Sequence, residues 1–194
     1  MDGFVETWYD QSGNGKDAVQ ATAANQPKIV SAGSLVSGGI DFDGTSHHLD
    51  VSGIDEAQPI TGFIQLKPDA TTDAANEVLD NTSVNTNRIL LDASSGNWRF
   101  FAGSVLTGAS VSTTPSLLYF LANSTNSEFG LNGATASTGD AGTNSGWADG
   151  LTIGTSLSGN FYDGTMGEII FYASDQSDNR TAIEANINSH YSIF

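Results

Sequence analysis

The sequence contains no cysteine, so no disulfide contributes to the fold. A chain of 194 residues can bury a sufficient core without one, and the absence therefore does not identify the cellular compartment. Basic residues are also scarce: six Lys and Arg stand against 22 Asp and Glu, which gives a net charge of −16. Nucleic acids and anionic membrane surfaces are bound by basic patches. Neither is expected as a partner.

Long apolar runs are missing as well, and none approaches the roughly 20 residues of a membrane-spanning helix. No signal peptide is visible, because "DGFVETWYD" directly after Met1 already has the polar and aromatic pattern of a strand. We expect Met1 to stand at a domain boundary of a longer protein, and residues 1–194 to form one domain.

Charged residues make up only 14% of the chain, whereas Gly, Ser, Thr, Asn and Asp are abundant and aromatic residues reach 9%. This composition favours many short strands joined by polar turns over disorder. In residues 39–44, Ile40 and Phe42 alternate with Asp41 and Asp43, which predicts one buried and one solvated strand face. Further strands are predicted at 4–9, 60–68, 77–81, 87–93, 97–103, 116–123, 127–133, 151–156 and 164–174. Short turns are expected to join 87–93 to 97–103 and 116–123 to 127–133 as hairpins.

One helix is predicted, at the C-terminus. Ile183, Ile187 and Tyr191 recur at four-residue spacing and form one apolar stripe. Ser174 or Ser177 is the expected cap. The stripe predicts a helix that docks on a sheet or covers a sandwich edge.

Three stretches resemble, in this order, laminin-G-like or concanavalin A-like jelly-roll domains: "WYDQSGNGKDAVQAT" (8–22), "GIDFDGTSHHLDV" (39–51) and "GEIIFYASDQSDNRTAIEANINSHYSI" (167–193). Such domains occur in bacterial surface proteins and in phage and virus structural proteins. The resemblance implies an all-β fold, an antiparallel two-sheet β-sandwich of the concanavalin A-like jelly-roll type with one C-terminal helix. Residues 55–160 match only in general strand-and-turn character.

The segment from Asp2 to Val30 also resembles part of the arabinofuranosidase B family. That family uses a neighbouring cysteine pair near its substrate, which this chain lacks, and its catalytic carboxylates align with no residue here. The resemblance therefore carries little weight for an enzymatic activity.

The loop after Trp8 offers oxygen ligands at alternate positions, namely Asp10, Ser12 and Asn14, followed by a glycine, and Asp17 can add a further ligand. This order is the opening of a calcium loop, and Ca²⁺ is the one cofactor that the sequence suggests. An EF-hand is excluded, because its closing glutamate would fall on Ala21. The alternative is a tight turn in which the side chains bond to local backbone N–H groups.

Two further metal patterns are weaker. Asp41 and Asp43 can form an oxygen site with Asp50, or simply lie on a solvated strand face. His47 and His48 could bind a transition metal, but they are adjacent, and adjacent residues of an extended chain point in opposite directions.

A sugar site needs an aromatic platform beside polar groups at a loop-lined rim. Trp147 with Asn144 and Asp149 fits this description, and Tyr162 and Asp163 lie close if the loops converge. The alternative for Trp147 is a lid over the core. An enzyme would need paired carboxylates across a cleft, and Glu168, Glu77 and Glu128, dispersed in or beside strands, form no such pair.

We therefore expect no catalytic residues and no enzymatic activity. The sequence predicts a non-catalytic carbohydrate-binding domain, or a structural domain used for adhesion or decoration, on an extracellular surface or a phage particle. Glycans or neighbouring structural subunits are the expected partners, and an oligomer is compatible with the sequence. The alternative function is a glycoside hydrolase or polysaccharide lyase of concanavalin A-like fold.

Overall fold

The computed structural model describes residues 1–83, 88–147 and 149–194, and within them two antiparallel sheets lie face to face. The first sheet has nine described strands: β1 (Gly3–Phe4), β4 (Lys28–Ser31), β5 (Ser34–Leu35), β6 (Ile40–Asp43), β8 (Ile60–Pro68), β13 (Ser116–Ala122), β14 (Ser127–Leu131), β15 (Ser137–Gly139) and β17 (Asp163–Tyr172). The second has eight: β2 (Thr7–Trp8), β3 (Ala18–Val19), β7 (Leu49–Val51), β9 (Leu79–Asn81), β10 (Leu90–Ser94), β11 (Asn97–Phe101), β12 (Val105–Ser110) and β16 (Leu151–Ile153).

The order of the strands shows that the chain passes repeatedly between the sheets. The first sheet runs β1-β4-β6-β17-β8-β13-β14-β15, with β5 beside β4, and the second runs β12-β11-β10-β9-β16-β7-β3-β2. The predicted two-sheet all-β fold is confirmed. Both predicted hairpins are present, β10 with β11 and β13 with β14, the second joined by a 3₁₀ turn at Ser124–Asn126.

The core lies between the sheets and follows from alternation along each strand. In β6, Ile40 and Phe42 are buried, as predicted. Phe100 of β11 stacks on Phe120 of β13 with ring centroids 4.8 Å apart, which joins the two sheets. Trp98 is also fully buried in this core.

The predicted helix α1 (Arg180–Tyr191) lies on the outer face of the first sheet. Ile183, Ile187 and Tyr191 pack there on a second apolar cluster made by Phe63, Leu117, Tyr119 and Leu121. Both faces of this sheet are therefore covered beneath the helix, which explains the nearly uninterrupted burial along β8 and β13.

The predicted serine caps are wrong. A 3₁₀ turn at Ser177–Asn179 precedes the helix, its N-cap residue is Asn179, and no side-chain cap hydrogen bond forms. In the described part of the chain, no helix is long and apolar enough to cross a membrane.

Candidate functional site

A polar pocket of about 320 Å³ opens on the outer face of the second sheet. Inward side chains of this sheet, such as Leu91 and Phe100, are fully buried in the core, so alternation turns Asp92 and Arg99 outward. A 3₁₀ turn at Asp73–Ala75 and the 158–160 segment form the remaining walls. The pocket is lined by Asp73, Ala74, Glu77, Arg88, Leu90, Asp92, Ala93, Ser94, Arg99, Ser158 and Asn160.

Two arginines in the pocket are held by buried aspartates. The β10–β11 register sets Arg99 opposite Asp92, and its Nε and Nη2 donate to the two carboxylate oxygens. Arg88 grips Asp80 in the same way, with Nε–Oδ1 at 2.6 Å and Nη2–Oδ2 at 2.5 Å. The aspartate side chains are at most 4% exposed, whereas both arginine side chains are about 30% exposed.

These pairs fix the arginines but leave part of each guanidinium free. Within the described residues, Nη1 of Arg88 and Nη1 of Arg99 make no hydrogen bond. Bidentate pairing fixes the plane of a guanidinium, so its remaining N–H groups are pre-oriented donors.

Glu77 is the unusual acid of the pocket. It is 6% exposed, its Oε1 accepts a hydrogen bond from Asn160 Nδ2 at 3.3 Å, and its Oε2 has no partner in the described part of the chain. Burial, reinforced by the negative charge of Asp92 and only partly offset by the Asn160 and Ser156 side chains, raises the pKa of Glu77 to about 7. Near neutral pH this carboxyl is therefore part acid and part carboxylate.

Asp73 contrasts with Glu77 in the same pocket. Its two oxygens accept hydrogen bonds from the backbone N–H groups of Ser95 (2.7 Å) and Gly96 (2.9 Å), which ties the β10–β11 turn to the 3₁₀ turn. Donors on two arginines and an unpaired acceptor on Glu77 thus converge in one pocket. Such an arrangement suits hydroxyl groups, which both donate and accept.

The loop predicted to bind calcium is built as a hydrogen-bonded turn. Asp10 Oδ1 accepts from the Ser12 N–H at 2.8 Å, and Oδ2 accepts from the Ser12 hydroxyl at 2.9 Å and the Lys16 N–H at 3.0 Å. Asp17 Oδ1 in turn accepts from the Asp10 N–H at 2.8 Å. The Ser12 hydroxyl accepts from the Asn14 N–H at 3.3 Å.

These bonds have an electrostatic consequence. The backbone N–H of Lys16, with the Ser12 hydroxyl and N–H, lowers the pKa of Asp10 to about 2. The geometry matches the local-turn alternative, and a calcium site stays a prediction. Among the described residues, no three His, Asp or Glu side chains cluster as metal ligands.

The other metal patterns are not assembled. Asp41 and Asp43 lie on β6 of the first sheet, whereas Asp50 lies on β7 of the second. Asp43 Oδ1 accepts from three successive N–H groups of residues 45–47, which holds its pKa well below the usual range despite partial burial. His47 contacts the Asp41 carbonyl, and His48 contacts Gln20 at 2.8 Å, so the two rings have different neighbours.

Trp147 is not an exposed sugar platform. The residue is fully buried, its Nε1–H donates to the Ile89 carbonyl at 3.2 Å, and its ring centroid lies 5.0 Å from that of Phe171. Its backbone φ of 48° lies in the left-handed region, which a non-glycine residue adopts only when its surroundings impose it. The structure supports the alternative, a side chain that completes the core.

The neighbours of Trp147 serve as loop anchors. Asn144 Nδ2 donates to the Arg88 carbonyl at 2.8 Å, and Asp149 Oδ2 accepts from the Ser83 hydroxyl at 2.7 Å. Asp149 is exposed, whereas Asn144 is half-buried. A glycan-binding role for these two residues stays a prediction.

Tyr162 and Asp163 do not complete a rim with Trp147. Tyr162 is fully buried, its ring lies 6.0 Å from that of Phe42, and its hydroxyl donates to the Thr165 carbonyl at 3.3 Å. Asp163 pairs with Asp43 across β17 and β6, and burial with the charge of Asp69 raises its pKa. Tyr162 is therefore a core residue rather than a ligand contact.

Of the dispersed glutamates, only Glu77 lies in the pocket. Glu128 accepts a hydrogen bond from the Tyr119 hydroxyl at 2.9 Å, and Glu168 lies half-buried on β17. The sequence held one usable signal for the pocket: in the hairpin "LLDASSGNWRF", a tight turn at Ser95–Gly96 sets Asp92 opposite Arg99 on the outward face.

No protein-family sequence profile and no curated protein sequence matches this chain. Structures that are similar in fold include the following three. Domain 4 of AbnA, a GH43 extracellular arabinanase from Geobacillus stearothermophilus, in complex with arabinotriose, has 15% identity and a TM-score of 0.54 over 95% of this chain and 87% of its own. The CBM40 of the Ruminococcus gnavus IT-sialidase, bound to α2,3-sialyllactose, has 14% identity and a TM-score of 0.54 over 76% of this chain and 97% of its own.

The third is the mouse laminin α1 chain, domains LG4-5, with 11% identity and a TM-score of 0.53 over 81% of this chain and 47% of its own. At these identities the likeness concerns the fold alone. The fold is a jelly-roll β-sandwich.

Proposed function

We propose that this domain binds a neutral glycan, without cleaving it, in the pocket around Glu77. The observation that carries the proposal is the buried Oε2 of Glu77, which has no hydrogen-bond partner among the described residues and lines a pocket with two arginines held by aspartates. Buried polar atoms normally have hydrogen-bond partners, and an exception in a pocket marks a place where a ligand can supply one.

The charges of the pocket favour a neutral sugar. When Glu77 is protonated, the two arginines are balanced by Asp73 and Asp92 among the lining side chains. The lining has no excess of positive charge for an acidic sugar. The hydroxyl groups of a neutral sugar can accept from the free Nη1 groups and donate to Glu77.

The fold supports the same class of ligand. Two of the similar domains are described in complex with oligosaccharides, arabinotriose and sialyllactose. The proposal also includes a location. It rests on the resemblance to jelly-roll domains of surface and particle proteins in residues 8–22, 39–51 and 167–193. There the domain would serve adhesion or decoration on a bacterial surface protein or a phage particle.

A blocking variant tests the pocket without removing any of its hydrogen bonds. Ala74 is exposed in the 3₁₀ turn Asp73–Ala75 at the pocket, and Ala24 is exposed at the same position of the 3₁₀ turn Ala23–Asn25, outside the pocket lining. A glycan array identifies the ligand, and calorimetry then measures affinity. We expect Ala74→Tyr to weaken binding at least about tenfold, and Ala24→Tyr to bind like the parent protein.

Equal binding by Ala74→Tyr and the parent would place the glycan elsewhere and overturn the assignment. A glycan array with no bound sugar would favour the structural alternative, in which neighbouring subunits are the partners.

The hydrolase or lyase alternative has one specific observation in its favour. Glu77, with a pKa raised to about 7, holds a proton near neutral pH beside the carboxylate of Asp92, and a carboxylic acid in that state can act as a general acid. Incubation of the bound glycan with the protein, followed by a reducing-end assay, distinguishes the two functions. Product release that Glu77→Gln abolishes would establish the enzyme, whereas an intact glycan agrees with the binding proposal.

A further inference from the structure

Strand β17 has neighbours on both sides for only part of its length. Residues 164–166 pair with β6 on one side and β8 on the other. From Glu168 to Tyr172, β8 is the only pairing strand in the described part of the chain. This segment therefore presents an open edge in the middle of the first sheet, and its outward backbone N–H and C=O groups have no ladder partner.

Glycines explain why β6 stops short. Gly39 has φ 125°, and a Cβ atom there would lie 2.0 Å from the Met166 carbonyl oxygen. The chain can thus enter β6 only through a glycine packed directly on β17, and the residues before Gly39 form no ladder with Glu168–Tyr172. Gly167 adds a bulge at the same point, where the β17–β8 register shifts.

The open edge borders a cleft of about 740 Å³ between the two sheets. Ile169 and Phe171 of β17 line one wall, and Val51 of β7 and Trp8 of β2 line the opposite wall. Trp147 is fully buried at its inner end, so the accessible part lies near the edge. The cleft thus combines an apolar interior with unpaired backbone.

The charges around this cleft are mainly negative. Asp10, Glu56 and Glu168 belong to its lining, and Lys16 is its only cation among the described residues. Lys16 Nζ already donates to the Gly53 carbonyl at 2.5 Å. The net charge of −16 adds a long-range field of the same sign, which attracts cationic partners.

We propose that Glu168–Tyr172 receives an extended peptide of a partner chain, in which apolar residues alternate with Lys or Arg. The peptide would continue the first sheet as a strand beside β17. Its apolar side chains would enter the cleft beside Ile169 and Phe171, and its cationic side chains would alternate with them and lie beside Glu168 at the rim of the cleft. A second copy of this domain is disfavoured as the occupant, because two chains of charge −16 repel each other.

The test uses the acetylated and amidated peptide KVKIKV, titrated into isotopically labelled protein at low salt and observed by NMR. We expect saturable shifts of the Ile169 and Phe171 amides. The peptide EVEIEV should bind at least about tenfold more weakly because its charge is reversed. Two further peptides carry N-methyl groups on alternate backbone nitrogens of KVKIKV, one at the odd and one at the even positions. Only the peptide whose methyl groups face β17 should lose binding.

A pair of charge-reversal variants supplies the control. Glu168→Lys should weaken KVKIKV binding about tenfold. Asp50→Lys changes the net charge equally, but Asp50 lies outside the cleft lining on an exposed position of β7, and its effect should stay within about twofold.

Several outcomes would overturn the proposal. They are the absence of saturation at millimolar peptide, equal binding of EVEIEV, and full binding by both methylated peptides. Equal losses for Glu168→Lys and Asp50→Lys would show only general charge attraction. Sedimentation experiments would show whether the free protein forms a dimer. A dimer in which the Ile169 and Phe171 amides are protected from hydrogen exchange would identify a second copy as the occupant instead.

Discussion

Asp10 and Glu77 carry the same functional group in opposite surroundings. Asp10 lies in an exposed turn, where backbone N–H groups and a hydroxyl donate to both oxygens, and its pKa falls to about 2. Glu77 is buried and its Oε2 has no hydrogen-bond partner in the described part of the chain; the Asn160 and Ser156 side chains offset only part of the effect of burial, and its pKa rises to about 7.

The difference distinguishes a carboxylate that stabilises a loop from a carboxyl group that can bind a ligand. A carboxylate whose oxygens are filled by its own backbone stabilises one loop conformation and has few lone pairs left for a ligand. A carboxyl group that is buried without donors destabilises the free protein, and a ligand that donates to it gains affinity. The hydrogen-bond donors around a carboxyl group, rather than the number of acidic residues in the sequence, therefore decide which acid can accept from a ligand.

The largest expected loss of stability comes from changing Asp92 from a carboxylate with hydrogen-bond donors, like Asp10, into a buried one that lacks them, as Glu77 Oε2 does. Arg99→Ala removes both donors from a carboxylate that is 4% exposed, so Asp92 becomes an unpaired buried acid. We expect a loss of about 2–4 kcal/mol in the free energy of unfolding, measured by urea denaturation at pH 7. Adding Asp92→Asn to the same chain should restore part of it. A loss below about 1 kcal/mol would show that water reaches Asp92 and that the pair is a surface one.

Glu77→Gln is expected to have the next largest effect, with the opposite sign. The pKa of Glu77 is about 7 in the folded protein and near the ordinary value of 4.5 when the chain is unfolded. The folded state therefore holds a proton that the unfolded state has lost, and stability present below pH 4.5 is lost as the pH rises through 7.

Replacement of Glu77 by Gln removes the ionisable group, so the variant should not lose this stability as the pH rises from 4.5 to 7. At pH 8 we expect Glu77→Gln to be more stable than the parent protein by up to about 3 kcal/mol, with no difference in pH dependence below pH 4. Unfolding curves from pH 4 to 8 measure this. Identical pH profiles for parent and variant would mean that Glu77 is solvated, and the contrast with Asp10 would disappear.

Asp10→Ala should have the smallest effect. Because Asp10 is exposed, its replacement should lower the melting temperature less than Arg99→Ala does. Equal melting temperatures of the parent protein in millimolar calcium and in chelator would mean that the turn bonds already occupy Asp10. A rise with calcium that Asp10→Ala abolishes would instead establish the calcium site with Ser12, Asn14 and Asp17.

The sequence was informative where local alternation decides the structure. The longer strands β8, β10, β11, β13 and β17 were predicted near their observed places, because side chains two apart share one environment. Short strands such as β3 and β7 are too brief to show a period, and they were missed. Residues 4–9 alternate like one strand, yet Gly3–Phe4 joins the first sheet and Thr7–Trp8 the second. Part of the predicted strand 87–93 lies outside the described residues.

The site was less predictable because it depends on tertiary contacts. Trp147 stands between polar and glycine residues like a loop side chain, and its burial is set by Phe171 and Ile89, distant in sequence. The pocket joins Glu77, Arg88 and Asn160 from separate segments. Only the Asp92–Arg99 pair could be inferred from hairpin register.

The helix laid over the first sheet also bears on synthesis at the ribosome. Phe63 and Tyr119 lie beneath the helix segment 180–191, which is translated long after β8 and β13. At about 5–20 residues per second, this apolar face stays uncovered for several seconds in each nascent chain. During that interval, neighbouring chains on one polysome can associate through it. Expression yield should therefore depend on chaperone supply, even though the finished fold hides that surface.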